Sequence, residues 1–111
     1  MEVREILRVK GSTLFTATPG QPLAEAITAM AEQDVGSLVV MSGGRMVGML
    51  TFREVLKAAN QHQGKTEGVI VGDVMVQDPV TVAPSMQVDD LRRLMIQKHS
   101  RYLPVMEGGT L

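Results

Sequence analysis

Apolar residues recur with the period of a helix in the first third of the chain. From Leu23 onward, apolar side chains fall at i, i+3, i+4, i+7 and i+8, which predicts one amphipathic helix over residues 23–31. Pro22 suits the first turn of that helix. The preceding stretch TLFTA predicts a short strand that ends before a proline.

A strand pair and a second helix follow. The apolar run GSLVVM predicts a buried strand, and Gly43-Gly44 predicts a two-residue hairpin turn into a second strand, RMVGML. Thr51 then begins the helix FREVLKAAN. The polar stretch at 60–68 is typical of a linker.

The chain contains an internal repeat. A shift of 65 residues places 15–46 over 80–111 without a gap, and eight of the 32 aligned pairs are identical, Thr16 and Thr81 among them. Most other pairs match in polarity, so we expect two copies of one structural unit. A shift of 68 residues also places Val3, Ile6 and Leu7 over Val71, Val74 and Met75.

The second copy repeats the same elements. Its helix is predicted to begin after Ser85 as the N-cap, with Asp89 and Asp90 early and Lys98 late, as the helix dipole favours. RYLPVM is the predicted strand that follows.

The order of elements predicts an α+β fold of tandem β-α-β-β-α repeats. We expect residues 1–68 to form the first repeat with its linker, and 69–111 to form the second. Residues 47–59, a core strand and a helix, have no counterpart in the second copy. Their loss would remove apolar burial comparable with a domain's net stability, about 5–15 kcal/mol. We therefore expect a fragment whose second repeat is truncated at the C-terminus, completed by following residues or by another chain; the alternative is a naturally short variant.

Composition narrows the function classes. With 44% apolar and 21% charged residues, the 111-residue chain should be globular, and its net charge of −1 argues against a general attraction to nucleic acid. Cysteine is absent, which excludes disulfides and a thiol nucleophile. His62 and His99 do not have metal-ligand spacing, and neither a Walker loop nor GxGxxG is found. We expect a cytoplasmic protein that is not an enzyme.

The stretch Thr51-Phe52-Arg53-Glu54 has two interpretations. Thr-x-x-Glu is a capping box, in which Thr51 accepts from the Glu54 N–H and Glu54 accepts from the Thr51 N–H. The N–H groups of a helix N-terminus and the guanidinium of Arg53 would also suit a phosphate. The sequence therefore predicts a helix cap, either alone or combined with a nucleotide site.

The repeated unit resembles the CBS domain, two of which form a Bateman module. The resemblance covers nearly the whole chain and rests on an ordered set of weak motifs rather than on one specific motif. These motifs are Val3-x-x-Ile6-Leu7, Thr16-Ala17-Thr18-Pro19, Leu38-Val39-Val40 and Gly48-Met49-Leu50-Thr51, with Val71-x-x-Val74-Met75, Thr81-Val82-Ala83-Pro84 and Arg101-Tyr102-Leu103-Pro104-Val105 in the second copy.

The resemblance implies a regulatory module that binds an adenosine nucleotide, such as AMP, ATP or NAD(H), in clefts between the repeats. It implies that extended backbone at Thr16–Thr18 reads the adenine edge, that Thr51 contacts ribose or phosphate, and that Arg53 and Arg101 contact phosphate. Thr16 equally suits simple strand sequence. Glu54 stands where the family has the Asp that holds the ribose hydroxyls, and it is longer by one methylene. The implied nucleotide-binding residues are Thr16, Ala17, Thr18, Thr51, Arg53, Glu54, Thr81, Val82 and Arg101.

The resemblance also implies a homodimer formed through the helices, with no required cofactor. A competing interpretation is a ligand-independent dimerisation or assembly module, in which Thr51 and Glu54 only cap the helix. Nucleic-acid binding through Arg92, Arg93 and Arg101 is disfavoured by the acidic residues interspersed with them. The preferred nucleotide, the number of occupied sites and any downstream protein target are left open.

Overall fold

The computed structural model describes residues 1–10 and 14–107. These residues form both helices and a sheet, which agrees with the expected α+β class. The elements are α1 (Val3–Lys10), β1 (Thr16–Ala17), α2 (Leu23–Gln33), β2 (Ser37–Ser42), β3 (Arg45–Thr51), α3 (Phe52–Gln61), α4 (Val71–Val74), β4 (Val76–Gln77) and α5 (Val88–Lys98).

The chain divides into two compact units. One holds residues 14–78, and the other holds residues 1–13 together with 79–111. These units differ from the repeats expected at 1–68 and 69–111, because the leading residues of each repeat pack in the unit that holds the body of the other. The repeat boundaries themselves stay a prediction.

A four-stranded sheet organises the unit of residues 14–78. The strand order is β1-β2-β3-β4, with β1 parallel to β2 and the other neighbours antiparallel. The predicted hairpin is confirmed: Ser42 pairs with Arg45, and Gly43 and Gly44 both have positive φ, 60° and 77°. Two positive φ angles are what a type I′ turn needs, and glycine adopts them without steric cost.

The core of this unit joins the helices to the sheet. The predicted apolar stripe of α2 is largely confirmed, since Leu23, Ala26 and Met30 are buried and Ile27 packs against them, whereas Ala31 is exposed. Pro22 is the N-cap rather than a residue of the first turn. The buried cluster consists of Ala17, Leu23, Ala26, Met30, Leu38, Val40, Leu50, Ala58, Val69 and Val71.

The second repeat's leading segment, residues 69–77, completes this unit, which the sequence analysis did not foresee. It supplies α4 and the edge strand β4, which pairs with β3 at Met49↔Val76 and Gly48↔Gln77. Gly48 permits this pairing, because a Cβ there would lie 2.6 Å from the Val76 carbonyl oxygen.

The other unit contains α1 and α5. The prediction of Ser85 as N-cap is wrong: Gln87 holds that position, and the helix begins at Val88. The reason is that extended backbone at Gln87 forms a bridge with Glu2, so the chain turns helical only afterwards.

The predicted strand RYLPVM is also not formed as a regular strand. Within the described residues, this stretch makes an isolated parallel bridge between Val105 and Val82. In the first copy, β2 forms most of its ladder with β3, and residues 79–107 contain no counterpart of β3. No helix in the described ranges is long and apolar enough to span a membrane.

Candidate functional site

The predicted capping box at the start of α3 is confirmed. The Thr51 hydroxyl oxygen accepts from the Arg53 N–H at 3.2 Å, and the Thr51 N–H donates to Glu54 Oε1 at 2.9 Å. The Thr51 hydroxyl also donates to the same Oε1 at 2.7 Å. Glu54 is 8% exposed, so its carboxylate lies against the body of the unit rather than in solvent.

Arg53 extends from the first turn of α3, and its side chain is exposed. It lies between the two capping residues, where the partial positive charge of the helix N-terminus adds to its own. Phosphate is the chemical group that such a combination favours, since Arg forms charge-assisted and bidentate contacts with it.

Thr16 and Ala17 form the edge strand β1. The Val39 N–H donates to the Phe15 carbonyl at 3.2 Å, so the backbone groups of Phe15 face β2. Successive residues of a strand direct these groups to alternate sides. The N–H and C=O of Thr16 therefore face away from β2, at an edge of the described sheet. Ala17 is 4% exposed, so its methyl belongs to the core.

A donor and an acceptor side by side are what the edge of adenine requires, since its N6 amino group donates and its ring nitrogens accept. Thr16 offers this pair from the backbone of β1. Thr18 follows as an exposed residue, and its N–H donates to the Gln21 side-chain oxygen at 3.2 Å. Sequence reasoning missed Gln21, because a single glutamine after Thr-x-x-Pro carries no signal of its own.

The two parts of the first-copy site, Thr16 on β1 and Thr51 on β3, belong to one sheet. Their strands are not direct neighbours, because β2 lies between them. Thr16 pairs with Val39, which pairs with Met49, two residues before Thr51. Two strand spacings and two residue rises give roughly 12 Å between the Thr16 and Thr51 Cα atoms. That distance suits an extended ligand of nucleotide size rather than a single ion.

The second-copy residues lie in the other unit. Val82 is 4% exposed and donates its N–H to the Pro104 carbonyl at 3.0 Å, while Met106 donates to the Val82 carbonyl at 2.7 Å. Thr81 and Arg101 are both exposed. Both backbone groups of Val82 are therefore engaged and its side chain is buried, which contradicts its prediction as a ligand contact, whereas Arg101 has the exposure that a phosphate contact needs.

Within the described residues, no group of three or more His, Asp or Glu side chains could hold a metal ion. Arg92 and Arg93 are exposed and lie 3.9 Å and 3.1 Å from Asp89 and Asp90 on α5. This agrees with a solvated face rather than a basic patch.

Comparison with known proteins identifies relatives across most of the chain. The profile of the CBS domain family matches residues 3–61 and 71–111. The CBS domain-containing protein YhcV of Bacillus subtilis is 32% identical over 96 residues, which cover 86% of this chain and 68% of YhcV. The chain spans between 20% and 63% of the length of three further curated relatives.

Solved structures share the fold. The CBS-domain containing protein ATU1752 from Agrobacterium tumefaciens matches with a TM-score of 0.93 and 27% identity, over 100% of this chain and 89% of that one. The structure of CBSX2 in complex with AMP matches with a TM-score of 0.76 and 30% identity, over 88% of this chain and 77% of that one.

Proposed function

The chain belongs to the CBS domain family, and from this premise we propose that it is a regulatory module that binds an adenosine nucleotide. The first-copy site consists of Thr16–Thr18 for the base and of Thr51, Arg53 and Glu54 for ribose and phosphate. Arg101 and the backbone at Thr81 form the corresponding site of the second copy. The module senses a metabolite and does not catalyse a reaction.

The observation that carries the proposal is Arg53 at the capped N-terminus of α3. The exposed Arg53 and the N-terminus of α3 follow Thr51 at the end of β3, and the outward-facing backbone pair of Thr16 lies on the same sheet, roughly 12 Å from Thr51 between Cα atoms. The AMP complex of CBSX2 supports the same ligand class, and AMP is therefore the first ligand to test.

A thermal-shift titration with AMP, ATP, NAD⁺, NADH and S-adenosylmethionine tests the proposal. A ligand that binds only the folded state raises the melting temperature with its concentration. Arg53→Ala should weaken binding by about tenfold or more, since a hydrogen bond to a charged group contributes roughly 1.5–3 kcal/mol. Arg45→Ala, at the exposed start of β3, is the matched control. Equal affinities of the two variants would contradict the site.

A second candidate function has one observation in its favour. Both the hydroxyl of Thr51 and the carboxylate of Glu54 are engaged with each other, so the cap is complete without a ligand. A ligand-independent assembly module would need nothing more. Light scattering after size exclusion distinguishes the two: a constant dimer with no melting shift from any nucleotide favours assembly alone.

We further propose that the module forms a homodimer through its helices and resides in the cytoplasm. Phe52 and Leu56 lie one turn apart on α3 and are 58% and 74% exposed, which gives that helix an apolar outer face. Leu56→Glu should produce a monomer, as measured by light scattering. The control Lys57→Glu, at an exposed neighbouring position, should leave the dimer intact.

A further inference from the structure

The backbone donors at the start of α3 already have acceptors in the described structure. The Thr51 N–H donates to Glu54 Oε1 at 2.9 Å, and the Phe52 N–H donates to the Gly36 carbonyl at 3.1 Å. The Arg53 N–H donates to the Thr51 hydroxyl oxygen at 3.2 Å, and the capping box directs the Glu54 N–H at the same side chain. These are the four N–H groups for which a helix has no acceptor of its own. A phosphate at this turn is therefore held by the side chain of Arg53 and not by backbone N–H groups.

The carboxylate of Glu54 presents a single oxygen to a ligand. Its Oε1 accepts from both the N–H and the hydroxyl of Thr51, at 2.9 Å and 2.7 Å. No buried side-chain oxygen or nitrogen of the described residues lacks a hydrogen-bond partner. Oε2, which accepts from no donor among these residues, therefore belongs to the 8% of Glu54 that is exposed. An ionised carboxylate only accepts hydrogen bonds, so the group offered here is a negatively charged acceptor.

A ribose hydroxyl is the part of a nucleotide that suits this oxygen. The hydroxyl donates, and a hydrogen bond to a charged acceptor is about twice as strong as one between neutral groups. Acidic side chains in dinucleotide-binding folds recognise the ribose 2′-hydroxyl of NAD in the same way, whereas the 2′-phosphate of NADP requires an Arg.

A phosphate ester on that hydroxyl would remove the donor and add charge of the wrong sign. The ester brings roughly −1.5 to −2 charges against the Glu54 carboxylate. The partial positive charge of the helix N-terminus, about half an elementary charge, does not offset them. In the proposed site, the Arg53 guanidinium contacts the phosphate that the nucleotide already carries. Repulsion therefore exceeds attraction at Oε2.

We infer that Glu54 makes the first-copy site selective for nucleotides whose ribose hydroxyls are free, and that it excludes nucleotides phosphorylated at the 2′ or 3′ position. This inference rests on the proposed function and narrows its ligand class: AMP and NAD(H) fit, whereas NADP(H) does not. Glu54 cannot turn away from an added phosphate without breaking the cap, because the same carboxylate accepts both bonds from Thr51.

A titration followed by two-dimensional NMR of the backbone amides tests the inference in the intact chain. The probes are AMP, adenosine 2′,5′-bisphosphate and adenosine 3′,5′-bisphosphate, which share the base and the 5′-phosphate. The Thr51 signal reports on this site, because the Thr51 N–H donates to the Glu54 carboxylate. Both bisphosphates should bind there at least about 30-fold more weakly than AMP, since like charges brought together strongly oppose binding.

The Glu54→Gln variant separates ligand selection from capping. Glutamine also serves in a capping box, so its carbonyl oxygen keeps the bonds from Thr51 while an NH₂ group replaces Oε2. That amide donates to a phosphate, so the affinity for both bisphosphates should rise, whereas the affinity for AMP should fall with the loss of the charged acceptor. A general loss of stability would lower all three affinities together. Glu32→Gln, which removes the same charge from an exposed position of α2, is the matched control and should behave as wild type.

The outcomes distinguish failure of the selectivity from failure of the site. If either bisphosphate binds wild type as tightly as AMP at the Thr51 signal, or if Glu54→Gln leaves the ratio of affinities unchanged, this inference is overturned and the nucleotide site stands. If AMP does not shift the Thr51 signal, the first-copy nucleotide site is overturned and the selectivity with it. The comparison of ligands in wild type needs no variant, so it decides the question even if Glu54→Gln does not fold.

Discussion

Replacing Gly48 by alanine tests how tightly the second repeat's leading segment is held. Gly48 is buried in β3, and the added Cβ would lie 2.6 Å from the Val76 carbonyl oxygen and 2.7 Å from Met75 Sδ. The methionine side chain can rotate away, but the carbonyl belongs to the backbone of β4. The strand must therefore shift or detach from β3.

The expected loss of stability follows from two opposed effects. Overpacking of a well-packed interior costs roughly 1–3 kcal/mol. Alanine also restricts the unfolded chain relative to glycine, which stabilises the folded state by about 0.4–1 kcal/mol. The net expectation is a decrease of roughly 1–2 kcal/mol in the free energy of unfolding of the unit that contains β3.

Urea unfolding followed by circular dichroism measures this difference. Gly20→Ala is the control, because a Cβ at Gly20 would meet no atom within 4 Å and the residue does not have a positive φ. Its midpoint should equal or slightly exceed that of wild type. If Gly48→Ala unfolds at the same urea concentration as Gly20→Ala, the close contact between β3 and β4 does not exist in solution and the argument fails.

Three further changes have defined expectations. Thr51→Ala removes the cap of α3 and should lower the free energy of unfolding by about 1 kcal/mol in the same urea assay, whereas Thr51→Ser should cost only a few tenths; an unchanged Thr51→Ala would contradict the cap. Leu50→Ala leaves a cavity at a fully buried position and should lower the free energy of unfolding by about 2–5 kcal/mol, which a lower melting temperature would show. A decrease in melting temperature no larger than that of Thr51→Ala would contradict the core assignment. Arg93→Ala removes an exposed ion pair with Asp90 and should change stability by less than about 0.5 kcal/mol while leaving AMP binding unaltered in the thermal-shift titration; weaker binding would reopen the basic face of α5 as a site.

Interactions between near neighbours in the sequence could be predicted, and those between distant residues could not. The Gly43-Gly44 hairpin and the Thr51 cap each depend on residues within four positions, so the residue types alone determined them. The docking of residues 69–77 depends on carbonyls at Pro19 and Gln21, some fifty positions away. Backbone acceptors leave no trace in the sequence, because the backbone carbonyl is the same in every residue type.

The comparison of the two repeats shows which interactions the repeated sequence reproduces by itself. The backbone bonds at the start of α2 recur at the start of α5, where Val88 donates to Met1 at 2.9 Å as Leu23 does to Val69. The burial does not recur: Leu23 is fully buried, whereas its counterpart Val88 and the rest of α5 are not. In the first copy, β3 within the sheet and α3 contribute Leu50 and Ala58 to the same core as α2, and residues 79–107 contain no such elements. Hydrogen bonds between a repeat's leading segment and the other repeat's helix start thus need only the short motifs, while burial of α2 also depends on β3 and α3.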